Sequence, residues 1–284
     1  MKVLDLIVKE SVAVSASVQR LVLAAADGSL LPSVRPGQFV EVRIDETPGV
    51  LLRRPISIHD VRGEAALVLL VQRVGKGTAW LCSRTAGDVV NVVMPLGNGF
   101  TILGAARANG ETRHVASLQL AESRQEKTKS TAPCPSRPLL IGGGVGVAPL
   151  LLLGKELTGM GAEPTFLLGA RTESDLLCLT RFEQAARTLV STENGGAGEK
   201  GLVTQHSVLQ KERFDYIYTC GPLPMMKAVA RVAREKGIPC EASLENRMAC
   251  GLGACLCCVE ETTGGNVCVC KEGPVFSTDR LKWF

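Results

Sequence analysis

Six of the eleven cysteines in this 284-residue chain fall between Cys250 and Cys270. Four of them, Cys250, Cys255, Cys258 and Cys270, are spaced C-x4-C-x2-C…C, which suits a [2Fe-2S] centre. Two tetrahedral irons bridged by sulfides leave two terminal positions each, and thiolates fill all four. Glycines at 251 and 253 let the backbone wrap closely and turn amide N–H groups toward the sulfurs, which stabilises a negatively charged centre. Zinc takes the same side chains. A zinc ribbon, however, sets two C-x2-C pairs well apart, whereas here three ligands share one short loop and the fourth is expected on a following strand. Cys257 and Cys268 each lie within two residues of an expected ligand and are read as spectators.

Glycines and arginines elsewhere supply a second chemistry, the binding of phosphates. Gly142-Gly143-Gly144-Val145-Gly146-Val147-Ala148-Pro149 follows an apolar strand and precedes an apolar helix, the setting in which backbone N–H groups cradle a diphosphate. Gly143, Gly144 and Gly146 are the expected contacts. The loop ends in proline rather than a third glycine, and proline at the first helical turn forfeits no hydrogen bond. Cys220-Gly221-Pro222 is a second turn at the end of a strand, FDYIYTC, although Cys220 suits the role of a small buried hydrophobe equally well. Gly169-Ala170-Arg171 ends another strand, where an adenosine ribose would fall. No acidic residue is firmly placed there, so spacing alone leaves NAD and NADP both open. Nearer the start, Arg54 of Arg53-Arg54-Pro55-Ile56-Ser57 can grip a phosphate bidentately. Gly77 and Thr78 of Gly75-Lys76-Gly77-Thr78 open a helix, with backbone and hydroxyl donors at its positive end. Taken alone, RRPIS is as readily a surface arginine pair before a turn. With the glycine loops downstream, a phosphate-binding role becomes the better reading.

These residues need three kinds of support. Residues 1–103 carry short apolar runs (Val12 to Val14, Gln38 to Ile44, Leu67 to Gln72, Val89 to Val93) punctuated by Gly, Pro and Asp, which predicts a small antiparallel barrel or sandwich. Residues 104–137 are polar and read as an insertion or linker with at most a short helix around Val115 to Gln125, its His114 and Cys134 being bystanders. Residues 138–241 alternate strand, turn and helix, which predicts a parallel α/β domain, with a helix near Leu176 to Thr188. Another helix, after Pro224, is expected to bury Met226, Val229, Ala230 and Ala233 and to stop at Gly237. Residues 242–284 are cysteine-rich and too few for a full domain, so something other than apolar burial is expected to hold them together. The whole is thus a multidomain β plus α/β protein.

Composition narrows the partners. Aromatic residues make up 4% and the net charge is +4 from 32 basic and 28 acidic residues, which offers neither a stacking platform nor a basic stripe for nucleic acid. The start, MKVLDLIVKESVAV, shows neither a signal peptide nor an anchor, and the apolar stretch Pro138 to Leu153 is glycine-interrupted and too short for a bilayer. A cytoplasmic protein with no membrane partner is expected.

The segments LRRPISI (52–58), PLGNGF (95–100), GGGVGVAPL (142–150), CGP (220–222), SLENRMACGLGACLCC (243–258) and VCKEGPVF (269–276) resemble those of the ferredoxin reductase superfamily. Within it they resemble the electron-transfer subunits of NAD-linked dihydroorotate dehydrogenases. The likeness covers nearly the whole chain. It implies FAD held by Arg54, Pro55, Ile56 and Ser57, by Leu70, Val71 and Gln72, and by Gly77 and Thr78. It implies NAD at Gly143, Gly144, Gly146, Cys220 and Gly221, and a [2Fe-2S] cluster on the four cysteines. It further implies an FMN-containing catalytic subunit as partner, in a heterotetramer of two plus two, and electron flow from that subunit to NAD+ in pyrimidine (UMP) synthesis. Departures are the insertion, Ala249 before the first ligand, and the extra Cys257 and Cys268. Ile56, where relatives carry an aromatic, implies weaker stacking on the flavin. A reductase subunit serving ferredoxin or hydrogenase is the alternative, but those relatives are expected to read D-G-x-G-x-C-G-x-C where this chain has C-G-L-G-A-C-L-C-C. A non-enzymatic iron–sulfur or zinc regulator on the same scaffold would have no need of the phosphate-binding loops.

Overall fold

A computed structural model describes residues 1–102 and 134–284. The helix expected around Val115 to Gln125 and His114 lie outside the described residues.

Strands β1 (Lys2–Ala13), β2 (Val18–Ala25), β3 (Phe39–Val42), β4 (Arg54–Arg62), β5 (Ala66–Gln72) and β6 (Val89–Leu96) close into an antiparallel barrel in the order β1-β2-β5-β4-β3-β6. Alternating side chains fill it: Leu6 and Val8, Leu21 and Leu23, Leu67, Leu69 and Val71, and Val90, Val92 and Met94 are fully buried in one core. This is the period of two that a half-buried strand imposes. Helix α1 (Lys76–Cys82) follows β5, starting at Gly75 as expected.

The second unit runs β7 (Pro138–Gly143), a 3-10 turn (Gly144–Val147), α2 (Leu150–Gly159), β8 (Thr165–Ala170), α3 (Leu179–Ala185), β9 (Arg187–Thr192), β10 (Glu199–Lys200), α4 (Val208–Lys211), β11 (Tyr216–Cys220), α5 (Leu223–Glu235) and β12 (Cys240–Ser243). The tail adds a hairpin of β13 (Val259–Thr262) and β14 (Gly265–Cys268), a single helical turn α6 (Val269–Glu272), and β15 (Val275–Ser277). The sheet order is β10-β9-β8-β7-β11-β12-β15, parallel except for β15. Among the described residues no helix is long and apolar enough to cross a membrane.

Three expectations need correction. The helix sought near Leu176 to Thr188 is shorter, because Cys178 sits in the left-handed region (φ 54°) just before α3 and Ala186 is extended just after it. Thr188 belongs to β9. The boundary drawn at 241 falls inside β12, and Glu241, Ala242 and Ser243 pair with Ser277, Phe276 and Val275, so the tail returns to the sheet. The fourth cysteine, Cys270, lies in α6 rather than on a strand. Helix α5 buries Met226, Val229, Ala230 and Ala233, and Gly237 at φ 64° ends it, as its sequence indicates.

Apolar contacts join the units. Val18, Leu70 and Phe100 of the first pack with Leu140, Val147 and Leu150 of the second. Leu152 of α2 enters the barrel core, and Phe39 and Leu96 pack with Cys258, Val269 and Phe276 of the tail.

Candidate functional site

The C-terminal ends of the parallel strands meet the β1–β2 turn around a cavity of about 750 Å³, a size suited to a nucleotide. Gly143, Gly144, Gly146, Gly221 and Gln72, drawn from three separate segments, all line it. The glycines are sterically required. A Cβ on Gly146 would lie 2.3 Å from the Gly221 Cα, so the two turns can touch only without side chains. Gly144 and Gly221 have φ of 56° and 152°, which favour glycine. Cys220 does not line the cavity: it is 1% exposed behind Gly221, and burial pushes its thiol well up. Sequence reasoning missed Ser15 and Ser17 of the β1–β2 turn, Glu193 just beyond β9, and Glu245, all of which line the cavity. Recognising β9 as a strand would have pointed to Glu193, since ligands gather at the carboxyl ends of parallel strands.

The arginine pair divides its labour. Arg53 braces β3 and β6, its guanidinium donating to the Glu41 and Asn91 carbonyls at 3.2 Å and to Asn91 Oδ1 at 2.6 Å. Arg54 donates from Nη1 to the Leu52 carbonyl at 2.7 Å, while its Nε edge lies over Gly77. A Cβ on Gly77 would come within 2.7 Å of that Nε, so the glycine opens a cradle between the guanidinium and the start of α1. This fits a diphosphate. Thr78 serves the loop itself: its Oγ1 accepts from the Val74 and Gly75 amides at 2.9 and 3.1 Å and donates to the Gly75 carbonyl at 3.1 Å. Ile56 and Val71 pack with the barrel core, so their backbone is what they offer a ligand outside it; the stacking surface expected of Ile56 is correspondingly small. Leu70 packs into the interface between the two units. Pro55 and Ser57 are half-buried on β4.

In the cysteine loop, Gly251 and Gly253 take φ of 66° and 81°. The Leu252 amide donates to Cys250 Sγ at 3.3 Å, the Gly253 amide to Cys270 Sγ at 3.1 Å, and the Cys270 amide to Cys258 Sγ at 3.4 Å. Amide donation, chiefly from Leu252, brings the Cys250 thiol down to about 6, whereas burial beside Cys258 pushes Cys270 up to about 12. A thiolate at Cys270 therefore needs a compensating positive centre. Among the described residues no three His, Cys, Asp or Glu side chains converge as they would around a single ion. Amides aimed at sulfurs, with ligands spread over a loop and a separate turn, fit a two-iron centre. Cys268 Sγ turns to the Gly253 carbonyl at 3.7 Å, and Cys257 is exposed, as is the expected ligand Cys255. The barrel grips this lobe through Asn98, whose amide donates to the Gly273 carbonyl at 2.6 Å and whose side chain donates to the Glu272 carbonyl at 3.0 Å. Beneath Gly251 lies Glu41 of β3, 1% exposed, with neither carboxylate oxygen partnered among the described residues. Burial raises it to about 7, against the pull of Arg53.

Comparison with known proteins agrees with this geometry. A model of the iron–sulfur cluster binding domain of dihydroorotate dehydrogenase B matches residues 245–282, and one of the oxidoreductase NAD-binding domain matches residues 140–231. The dihydroorotate dehydrogenase B (NAD(+)) electron transfer subunit of Geobacillus kaustophilus is 37% identical over 254 residues, 88% of each chain. That of Fusobacterium nucleatum is 34% identical over 284 residues, 97% of each chain. A chain from the solved NADH-dependent reduced ferredoxin-NADP oxidoreductase superposes with a TM-score of 0.78 at 30% identity, covering 98% of this chain and 90% of its own. Relatives this similar over most of their length establish that the chain belongs to the family of dihydroorotate dehydrogenase B electron transfer subunits.

Proposed function

We propose that this chain is the NAD-reducing half of a two-component dihydroorotate dehydrogenase. Electrons drawn from dihydroorotate on an FMN-containing catalytic subunit enter at the Cys250–Cys270 lobe and leave to NAD+ at the glycine-lined cavity, serving UMP synthesis. One observation carries the reading. The paired strands β3 and β4 touch both ends of that route, through Glu41 against Gly251 and through His59 against Ala148. When bound, FAD supplies the conversion between single electrons and a hydride, which neither an iron–sulfur centre nor a nicotinamide makes by itself. Arg54 and Gly77 would hold its diphosphate, Pro55 to Ser57 and Leu70 to Gln72 would border it, and Thr78 orders the loop around it. Gly143, Gly144, Gly146 and Gly221 admit the nicotinamide cofactor, with Cys220 as packing behind them. Cys250, Cys255, Cys258 and Cys270 hold the cluster.

Leu252, Leu256 and Val259 are exposed around the exposed Cys255 and form the face offered to the catalytic subunit. Desolvating such an apolar rim would bring the two redox centres together. Two copies of each subunit make the working assembly, located in the cytoplasm, where eleven free cysteines are at home.

Anaerobic purification with and without a co-expressed catalytic subunit tests the proposal. Flavin and cluster absorbance, with dihydroorotate-dependent NAD+ reduction only in the co-purified complex, is the expected result. The likeness to the ferredoxin-NADP oxidoreductase chain favours a second reading, a reductase subunit serving ferredoxin. The same absorbance with electron exchange to ferredoxin and none from dihydroorotate would select it. Absent flavin would overturn both.

A further inference from the structure

We propose that His59 is a positioning residue for hydride transfer: by donating from Nδ1 to the Ala148 carbonyl, it fixes the nicotinamide-binding loop against the flavin-binding strand. The inference rests on the function proposed above and adds a residue to it.

His59 lies on β4, two residues beyond Ser57, so roughly 7 Å of stiff strand separates it from the expected flavin contacts. Its Nδ1 is 2.9 Å from the carbonyl oxygen of Ala148, which closes the turn begun by Gly144, Val145 and Gly146. A carbonyl only accepts, so the ring must be the Nδ1–H tautomer, which leaves Nε2 as a bare acceptor. That atom is buried and has no partner among the described residues, and the residue is 0% exposed, with its ring 6.1 Å from that of Phe182. Burial holds the imidazole neutral, down to about 4. An apolar ring would fill this site without stranding an acceptor, so packing alone does not account for a histidine here.

Directionality does account for it. Much of the rest of the junction is apolar: Leu70 and Val18 lie against Val147 and Leu150, and Leu152 reaches into the barrel. Apolar contact is non-directional and tolerates sliding, whereas a hydrogen bond requires a distance and an angle. The next residue adds a second tie, Asp60 Oδ2 to Lys155 Nζ on α2 at 2.6 Å. Two consecutive residues of the flavin strand therefore hold the loop and the helix that follows it. Hydride transfer tolerates little error, and a displacement of about 1 Å from a distant substitution can slow a reaction on the order of 100-fold.

The test uses the holo complex and compares His59→Phe, which keeps a ring and loses the donor, with His59→Asn, whose side-chain amide restores an N–H at similar reach. Stopped-flow reduction of flavin by NADH, expressed per bound flavin, should fall roughly 10- to 100-fold in His59→Phe and recover to within about threefold in His59→Asn. NAD+ affinity by calorimetry should change by less than about threefold, placing the loss in the transfer step rather than in binding. Amide exchange over residues 143–148, measured with flavin bound and no nicotinamide, should quicken in His59→Phe alone. Equal rates per flavin in all three proteins would overturn the inference, as would losses that merely track flavin content. If His59→Phe does not fold, His59→Gln against His59→Asn decides: a longer donor should slow transfer about tenfold, and equal rates would refute the inference. Failure of the wild-type flavin to accept electrons from NADH would instead refute the proposed function.

Discussion

His59 also gives stability a pH dependence whose sign is fixed. Its native value of about 4 lies below the ordinary 6.5, so between those pH values the unfolded chain holds a proton that the folded chain lacks. Stability therefore rises with pH across that window, is complete above it, and is lost on acidification from 6.5 toward 4. The contribution is on the order of 3 kcal/mol. Urea titrations at pH 4.5 and 7 should show a smaller difference in His59→Phe than in wild type. Among the cysteines, Cys270→Ser should abolish cluster absorbance while leaving flavin bound, and Cys268→Ser should change neither, because its sulfur already faces the Gly253 carbonyl. A cluster lost in Cys268→Ser would show that the fourth ligand is misassigned. At this scale the sequence was most legible where spacing is local: the cysteine loop and the glycines that line the cavity are contiguous words. It was least legible for Ile56 and Val71, whose facing depends on how the barrel closes, with a register shift between Ile58 and Asp60.

At the cavity, elements meet through backbone. Gly146 against Gly221 is the tightest such meeting in the cavity, and because the obstructing atoms are main chain, neither loop can yield cheaply. Gly146→Ala should weaken NAD+ binding by more than about tenfold and lower stability by about 1–3 kcal/mol, read by calorimetry and urea unfolding. Asn98→Ala keeps the backbone bond to Gly273 but should leave the Glu272 carbonyl without its side-chain donor and cost about 1–3 kcal/mol, with cluster loss on air exposure as the sensitive readout. The strands β7, β8 and β11 and helix α5 follow from apolar periodicity. Others hid in plain view, among them β2, because Gln19 and Arg20 interrupt its pattern, although Arg20 is buried by pairing with Glu10 at 3.2 Å, and β12, because four residues are too few for periodicity.

Across the described residues, apolar contacts join the units. Leu152 belongs to α2 by sequence and to the barrel core by packing, so Leu152→Ala should cost about 2–5 kcal/mol and destabilise both units together. Flavin release and loss of far-ultraviolet ellipticity should then coincide in a melt, and two separated transitions would contradict this. Domain order was legible because each kind of chemistry kept to its own stretch of chain. The return of the tail to the sheet was not, since nothing in Val275, Phe276 and Ser277 names a partner some thirty residues back. That return has a further consequence. The cysteine lobe leaves the sheet after Ser243 and re-enters at Val275, and the Leu244 amide donates to the Pro274 carbonyl at 2.9 Å, so its two ends are neighbours. Topologically the lobe is a cassette clipped onto an edge: its contents can be altered, exchanged or elaborated over evolutionary time without rethreading the reductase that carries it.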